Sequence, residues 1–581
     1  MRMPQPSLRL LSPMLVIGVL VALAGTALAA APAITTFSPA SGTIGTSVTI
    51  TGTGFAGAKA VTFDGVASIF TVTGNTKIVA AAPVNLATGK ISVTTAKGTG
   101  ASNTNFTATL GAHLSLPSGP PLTPLQISGA AFPPSTAVDV YFDTTDLALA
   151  ISTARGVVSM PIQAPATAQP GTHWVTLVAR GTNVAAQASF VANMNWPMAG
   201  LSIQGRSSND YENTIGTANV GRLTDVWTKP SGGFANPSPF VEFNGNVIVG
   251  DVNGVIHAYS SAGTLLWMAN PGSSLQSVTP VAYNGRVYFG AQNGNVYAYA
   301  LACRTDGGIC TPVWTKSVGT SVTASLKLYG GLLYAPSNDG TIHVLNPATG
   351  AAGTPIFGID MTHGAVTTPV SFAADGTFYY GAGTAIEYKT SNGSSGVSVK
   401  GGTVSPIAVV NGTAYFTSGD GKITEFGGAG WTAATSGTNC EPAPAVANDL
   451  VYAGGCTSLA AFEAGRGTLR WSVTTAGPVI GLSVANGVLY GCIGTGVGFG
   501  GTVFAYDASF GGLLWSGGQC VGGAPIVANG TVFAAFANIT AYRMPGFQPN
   551  AIPARPALRA LHPDYRLLPN VSRIAAGPAA E

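Results

Sequence analysis

The sequence predicts an all-β chain whose largest part is an eight-bladed β-propeller, and three observations carry that prediction. A tight-turn pair recurs at Asn244-Gly245, Asn284-Gly285, Gly330-Gly331, Asp375-Gly376, Asn411-Gly412, Asn448-Asp449, Asn486-Gly487 and Asn529-Gly530. Subtracting successive positions puts these eight copies 36 to 46 residues apart. Each turn leads into a strand of the Val287-Tyr288 or Val451-Tyr452 kind, and most copies then reach a later aromatic such as Tyr259, Tyr299 or Phe462. Trp267, Trp314, Trp431, Trp471 and Trp515 close five of the units. Asn-Gly supplies the positive φ that a two-residue hairpin needs. One such unit, residues 241–267, reads as four short strands, and a single four-stranded sheet cannot bury both faces alone. A period near 40 with four strands per unit is the pattern of a propeller, whereas solenoids show helices or shorter repeats.

The last copy, residues 523–542, has three strands and no closing tryptophan, while the strand at 225–229 carries Trp227 and lacks preceding strands of its own. It is expected to complete the last blade and join the ends of the ring, leaving few exposed edges.

Residues 1–29 read as a targeting segment. Arg2 and Arg9 give a positive start, residues 14–24 an apolar core, and Ala27-Leu28-Ala29 a small-residue cleavage pattern, with the cut after Ala29 or Ala30. No cysteine lies near the cut, so a lipid anchor is not expected. No later run of 18 apolar residues follows, so the mature chain is expected to have no transmembrane segment and to be exported: periplasmic, cell-surface or extracellular.

Residues 30–109 form the next module. Its opening, PAITTFSPASGTIGTSVTITGTGF at 32–55, alternates at Val48 and Ile50 before the turn at Gly52. This stretch, with the strand at 61–65, resembles the IPT/TIG immunoglobulin-like domain, which implies a spacer or contact module of an extracellular protein. Residues 110–193 read as a second immunoglobulin-like β-sandwich, in which the segment from Gln126 to Pro134 echoes the strand and turn of the first. Residues 194–545 are the propeller, and 546–581, rich in Pro, Ala and Arg, a flexible tail.

Composition excludes some classes. Charged residues are 8 % of the 581, against a usual ~25 %. The formal charge is +3. No basic stripe exists to neutralise phosphates, so nucleic acid is not a predicted partner. Scarce charge also suits acidic surroundings, where few groups would change their ionisation.

All six cysteines fall in the propeller, and an even count behind a targeting segment favours disulfides. Cys303 and Cys310 flank one inserted loop. Cys440 and Cys456 sit at matching ends of neighbouring strands. Cys492 and Cys520 remain for each other. No Cys-x-x-Cys occurs, which disfavours zinc knuckles and c-type haem.

Candidate chemistry is sparse. His257 and His343 occupy one repeat position, filled by Tyr297 in another blade, and read as rings packed between blades. Glu387 and Glu425 precede the third-strand aromatic where other blades carry Ala258, Ala298, Ala461, Ala505 or Ala541. Two acids at one slot of consecutive blades would share a proton or hold a cation if they faced a common space. The alternative is that two irregular blades expose the slot to solvent. Glu242 and Lys327 depart from the small or apolar residues of the innermost strands and are expected to line the central channel. Asp251, Asp339 and Asp420 read as turn formers. No nucleophile elbow, P-loop, His-Glu-x-x-His or EF-hand loop is present. The glycine-rich run at 494–501 lacks the helix that a phosphate cradle needs and reads as a mobile loop.

The segments NGRVYFGAQNGNVYAYA at 284–300 and NGTVFAAFANITAY at 529–542 resemble the PQQ-like propeller repeat, as do the endings at Trp267 and Trp515 and the lead-in NDYEN at 209–213. The resemblance covers residues 196–545. It implies the fold, which hosts enzymes and scaffolds alike. The propeller is similar to the scaffold of the outer-membrane β-barrel assembly machinery, and this implies an exported, non-catalytic binding protein with a protein or glycan partner and no cofactor. The alternative it implies is a quinoprotein dehydrogenase holding PQQ with Ca2+, against which stands the lack of adjacent cysteines. A third is a small-molecule hydrolase like the tetrathionate hydrolases of acidophiles.

Overall fold

The computed structural model describes residues 30–549, apart from 232–239, 252, 276–277, 323, 358–363, 391–392, 400–403, 496–499 and 521–522, together with 575–576. The predicted targeting segment, most of the predicted tail, the tip of the glycine-rich run, His363 and His562 lie outside the described residues.

Among the described residues the protein is all-β, with one short 3-10 turn at Val220–Arg222. The first module packs a four-stranded sheet (Ala33–Ser38, Ser47–Thr53, Lys77–Ala81, Phe70–Gly74) on a five-stranded one built around Gly89–Thr95 and Gly98–Ala108. Period-2 alternation places Val48, Ile50, Val61, Phe63, Val93 and Phe106 in one core. The following module has a sheet of Ala185–Ala192, Gly171–Ala179, Ala137–Phe142 and Thr145–Ile151 in that order, with short strands beside it. Inside it the buried Asp139 carboxylate accepts three bonds from the Arg180 guanidinium, the shortest at 2.7 Å.

Among the described residues the propeller has eight blades of four antiparallel strands each, the seventh carrying Ser208–Asn209 as a fifth, parallel strand. Their innermost strands are, in order, Val241–Phe243, Val281–Tyr283, Lys327–Tyr329, Ser371–Phe372, Ala408–Val410, Ala445–Ala447, Val479–Ala485 and Ile526–Ala528. The turn asparagines sit where the hairpin requires left-handed backbone, for example Asn244 at φ 50° and Asn529 at φ 51°. Thr224–Pro230 supplies the fourth strand of the eighth blade, pairing with Asn538–Arg543 in antiparallel register, Trp227 opposite Ala541. The ring is therefore closed by the chain's first propeller strand against its last.

The closing tryptophans explain how blades dock. In four of the five the indole N–H reaches a carbonyl in the next blade: Trp267 to Leu301 at 2.9 Å, Trp314 to Pro347 at 3.0 Å, Trp431 to Ala464 at 2.8 Å and Trp471 to Ala508 at 3.0 Å. Trp227 does the same across the closure, donating to Ser261 O at 2.9 Å. The rings lie against turn glycines, so a Cβ at Gly263 would come within 2.7 Å of Trp227 and one at Gly467 within 2.5 Å of Trp431. Only glycine tolerates both the positive φ and this approach. The cysteines stand as three pairs, Cys303 with Cys310, Cys440 with Cys456 and Cys492 with Cys520.

Candidate functional site: the central channel and its collar

The innermost strand of every blade is an edge strand, and its outward backbone groups need partners. The chain supplies them itself. Residues 196–209 pass once round the ring and meet the blades in order. Trp196 exchanges both backbone bonds with Glu242 of the first blade, at 2.8 and 3.0 Å. Pro197 O accepts from Ala282 N of the second at 2.8 Å. Ile203 O, Gln204 O, Arg206 O and Ser207 O accept from Phe372, Val409, Val446 and Val484 of the fourth to seventh, at 2.8 to 3.0 Å. Ser208–Asn209 pairs in parallel with the seventh, and the Asn209 amide donates to Val527 O of the eighth at 2.8 Å. The third blade is met by a side chain: Lys327 Nζ donates to Ala199 O at 2.5 Å and Ser202 O at 2.6 Å.

This collar bounds a cavity of about 350 Å³ to which all eight blades contribute. Its walls mix Trp196, Phe240, Pro369, Pro406, Ile407 and Leu482 with the hydroxyls of Ser325, Thr367 and Ser371. The charged groups at it are Lys327 and Glu441. Lys327 is 1 % exposed, and burial pulls its ammonium down to about 7. Ser371 Oγ is turned to Ile407 O at 2.6 Å, and Ser325 Oγ accepts from Thr279 N at 2.8 Å.

The structure separates the four candidate side chains. Lys327 lies at the channel cavity. Glu242 does not. It lies one step along the inner strand: Lys327 pairs with Tyr334 at the first position, whereas Glu242 pairs with Val247 at the second. Successive strand residues face opposite ways. Glu242 therefore enters the seam between the first and eighth blades, where Oε2 accepts from the Asn529 amide at 2.7 Å and Oε1 from Gly245 N at 2.8 Å. It is 2 % exposed, and burial pushes its carboxyl up to about 8 despite Arg543 nearby.

Glu387 and Glu425 are fully or nearly buried, not solvent-exposed, and neither is at the channel cavity. Glu387 Oε2 accepts from Tyr380 Oη, its cross-strand partner. Glu425 Oε2 accepts from Gly430 N and, at 3.3 Å, from Trp431 N, in the turn entering its own blade's last strand. Each carboxylate is thus held inside one blade. Asp339 and Asp420 act as turn formers, accepting from Thr341 N and Ser418 Oγ, and Asp251 Oδ1 accepts from Val255 N at 2.6 Å. His257 stacks on Tyr259 with ring centroids 6.0 Å apart.

Sequence reasoning missed Glu212 and the collar. Glu212 is buried, with Oε1 accepting from Thr214 N and Ile215 N and Oε2 from Gly530 N, so it grips the backbone of the last blade's turn whose Asn529 side chain Glu242 holds. The lead-in NDYEN was its only sequence signal.

A family model described as outer membrane protein assembly factor BamB matches residues 215–355 and 360–535, more than half of the chain. This chain belongs to that family. The IPT/TIG domain model matches residues 32–108. Among solved structures the chain is similar to quinohemoprotein alcohol dehydrogenase from Comamonas testosteroni, at 13 % identity over 62 % of this chain and 82 % of that one, TM-score 0.49. It is also similar to BamB from Moraxella catarrhalis, at 16 % identity over 56 % of this chain and 99 % of that one, TM-score 0.42. A europium-containing methanol dehydrogenase matches at 13 % identity over 59 % and 90 %, TM-score 0.46. No curated protein sequence matches it.

PQQ with Ca2+ would require a cluster of oxygen donors in the channel of this BamB-family propeller. Calcium takes six to eight oxygen ligands, carboxylates prominent among them. Among the described residues no three Asp, Glu, His or Cys side chains come together, and the channel cavity offers the single carboxylate of Glu441. The donor set does not fit the pair. Among the described residues no helix is long and apolar enough to cross a membrane.

Proposed function

We propose that this chain is an exported, non-catalytic binding protein that presents its propeller, carried on two immunoglobulin-like spacers, to a protein or glycan partner at the cell surface or in the periplasm. The collar carries this reading. The end of a propeller channel is where a ring of inner strands converges enough side chains for chemistry. Here residues 196–209 occupy those inner edges, and the four acidic or basic departures from the repeat all make bonds to the chain itself, Lys327 to the collar and the three glutamates to the blades. Membership in a family whose model is described as an assembly factor supports the same reading. The competing reading is a quinoprotein dehydrogenase.

The test is a titration of the purified chain with PQQ and Ca2+, following quinone absorbance and melting temperature together. A ligand that binds only the folded state must raise stability. The expected result is no saturable change in either signal. A saturable rise in melting temperature with a matching absorbance shift would overturn the binding-protein reading.

A further inference from the structure

Lys327 poses a problem that the scaffold reading leaves open. An ammonium has three donors. Two go to Ala199 O and Ser202 O, and among the described residues no carboxylate pairs with it. A buried charge without a counter-charge is costly. Structural anchoring of the collar would be served as well by a neutral donor, such as the asparagine that does this at the eighth blade. The lysine instead stands at the wall of a cavity of about 350 Å³, within the size range of small-molecule sites. The remaining walls supply what such a ligand's body needs, apolar Pro369, Pro406 and Ile407.

We propose that the central cavity is a binding site for a small organic carboxylate, its anionic head on Lys327 Nζ and its body against the proline- and isoleucine-lined wall. Gly205 is part of this arrangement. Its φ is +66°, and a Cβ there would stand 2.8 Å from Ile407 O and 2.9 Å from Ser371 Oγ, so only glycine lets the collar pack this closely on the fourth and fifth blades beside Lys327. Glu441 enters the same cavity from the sixth blade, and it disfavours ligands with a second negative charge. The site does not depend on whether the propeller is a scaffold or an enzyme.

The chemistry predicts a signature that packing alone would not produce. Burial lowers the lysine to about 7. An anion placed beside it favours the protonated form. Binding at mildly alkaline pH must therefore draw up to one proton from the buffer, and binding at mildly acidic pH must draw none.

The experiment is calorimetric titration of the full chain with hexanoate, and separately with its neutral analogue hexanamide, in two buffers of different ionisation enthalpy. Saturable hexanoate binding with a Kd of about 1 mM or tighter, proton uptake above neutral pH, and at least about tenfold weaker hexanamide binding are expected. Lys327→Met should abolish the proton uptake. Should that variant fail to fold, the hexanoate–hexanamide pair on the unaltered chain decides the matter alone. Absence of saturable hexanoate binding, equal binding of the amide, or binding without proton uptake would each overturn the proposal.

Discussion

The junction between the eighth and first blades and the junction between the fourth and fifth carry the same kinds of residue and use them differently. At the closure, Glu242 reaches Asn529, 287 residues away in sequence. The Asn529 Oδ1 accepts from Met194 N at 2.6 Å, and Arg543 donates to Ser261 O. Trp227 docks on Gly263. At the mid-ring junction the contact is aromatic: Tyr388 and Phe426 ring centroids lie 5.3 Å apart, and Tyr379 Oη donates to Gly412 O at 2.8 Å. Glu387 and Glu425 stay inside their own blades.

The difference follows from chain connectivity. Consecutive blades are joined by a short covalent link, so docking them loses little entropy. The first and last blades have no such link, and loop-closure entropy grows with the length of chain enclosed. Buried directional bonds at that seam specify one register of closure.

The largest test of this comparison is Trp227→Ala. It removes the closing indole, and a loss of about 3 kcal/mol is expected from cavity formation and the lost bond. Chemical denaturation checks it, and equal sensitivity at the mid-ring pair, in Phe426→Ala, would erase the distinction. Next comes Asn529→Ala, which strands Met194 N and the Glu242 carboxyl in a buried site. A cost of about 2 to 3 kcal/mol is expected from those unsatisfied groups.

A third prediction concerns pH. Folded, Glu242 holds its proton up to about 8, whereas its ordinary value is 4.5. Between those values the folded chain binds a proton that the unfolded chain has released. The contribution of this group is complete below about 4.5 and is lost as pH rises through about 8, with a slope of at most about 1.4 kcal/mol per pH unit. Burial also raises Glu212, with the same sign. Lys327, lowered to about 7, acts oppositely, and only from about 7 upward. His113, His257 and His343, lowered by burial, act oppositely up to about 6.5, so the difference between the chains is the test: raising pH from 5 to 7 should cost the parent chain more melting temperature than it costs Glu242→Gln. An unchanged slope would show that the seam carboxyl does not titrate there. The smallest effect is expected for Glu387→Gln, about 1 kcal/mol, because the amide oxygen can still accept from the Tyr380 hydroxyl across the same strand pair.

Much of the fold was legible because its determinants are local. Asn-Gly turns, period-2 strands and a closing tryptophan lie within each repeat of about 40 residues, so eight blades and the closing strand at Trp227 could be counted without coordinates. The site was less legible. Glu242 and Lys327 looked equivalent because both break the inner-strand pattern. One residue of register turns one of them to the channel and the other to a seam. Glu387 and Glu425 occupy one repeat slot, and the slot alone suggested a shared space. Their partners, a tyrosine and a turn backbone, are set by each blade's own strand pairing.

The sequence by itself determined the all-β class, the blade count, the strand that closes the ring and a cysteine arrangement that the structure can join in three pairs. Only the tertiary structure decided the collar. Its bonds run from fourteen consecutive residues, 196–209, to inner strands spread from Glu242 to Val527. Six of the eight blades are met through backbone bonds, which any sequence can make and which leave no mark in residue type; only Lys327 at the third blade and Asn209 at the eighth use a side chain. The physical demand that creates them, eight inner edges needing partners, exists only once the ring has closed.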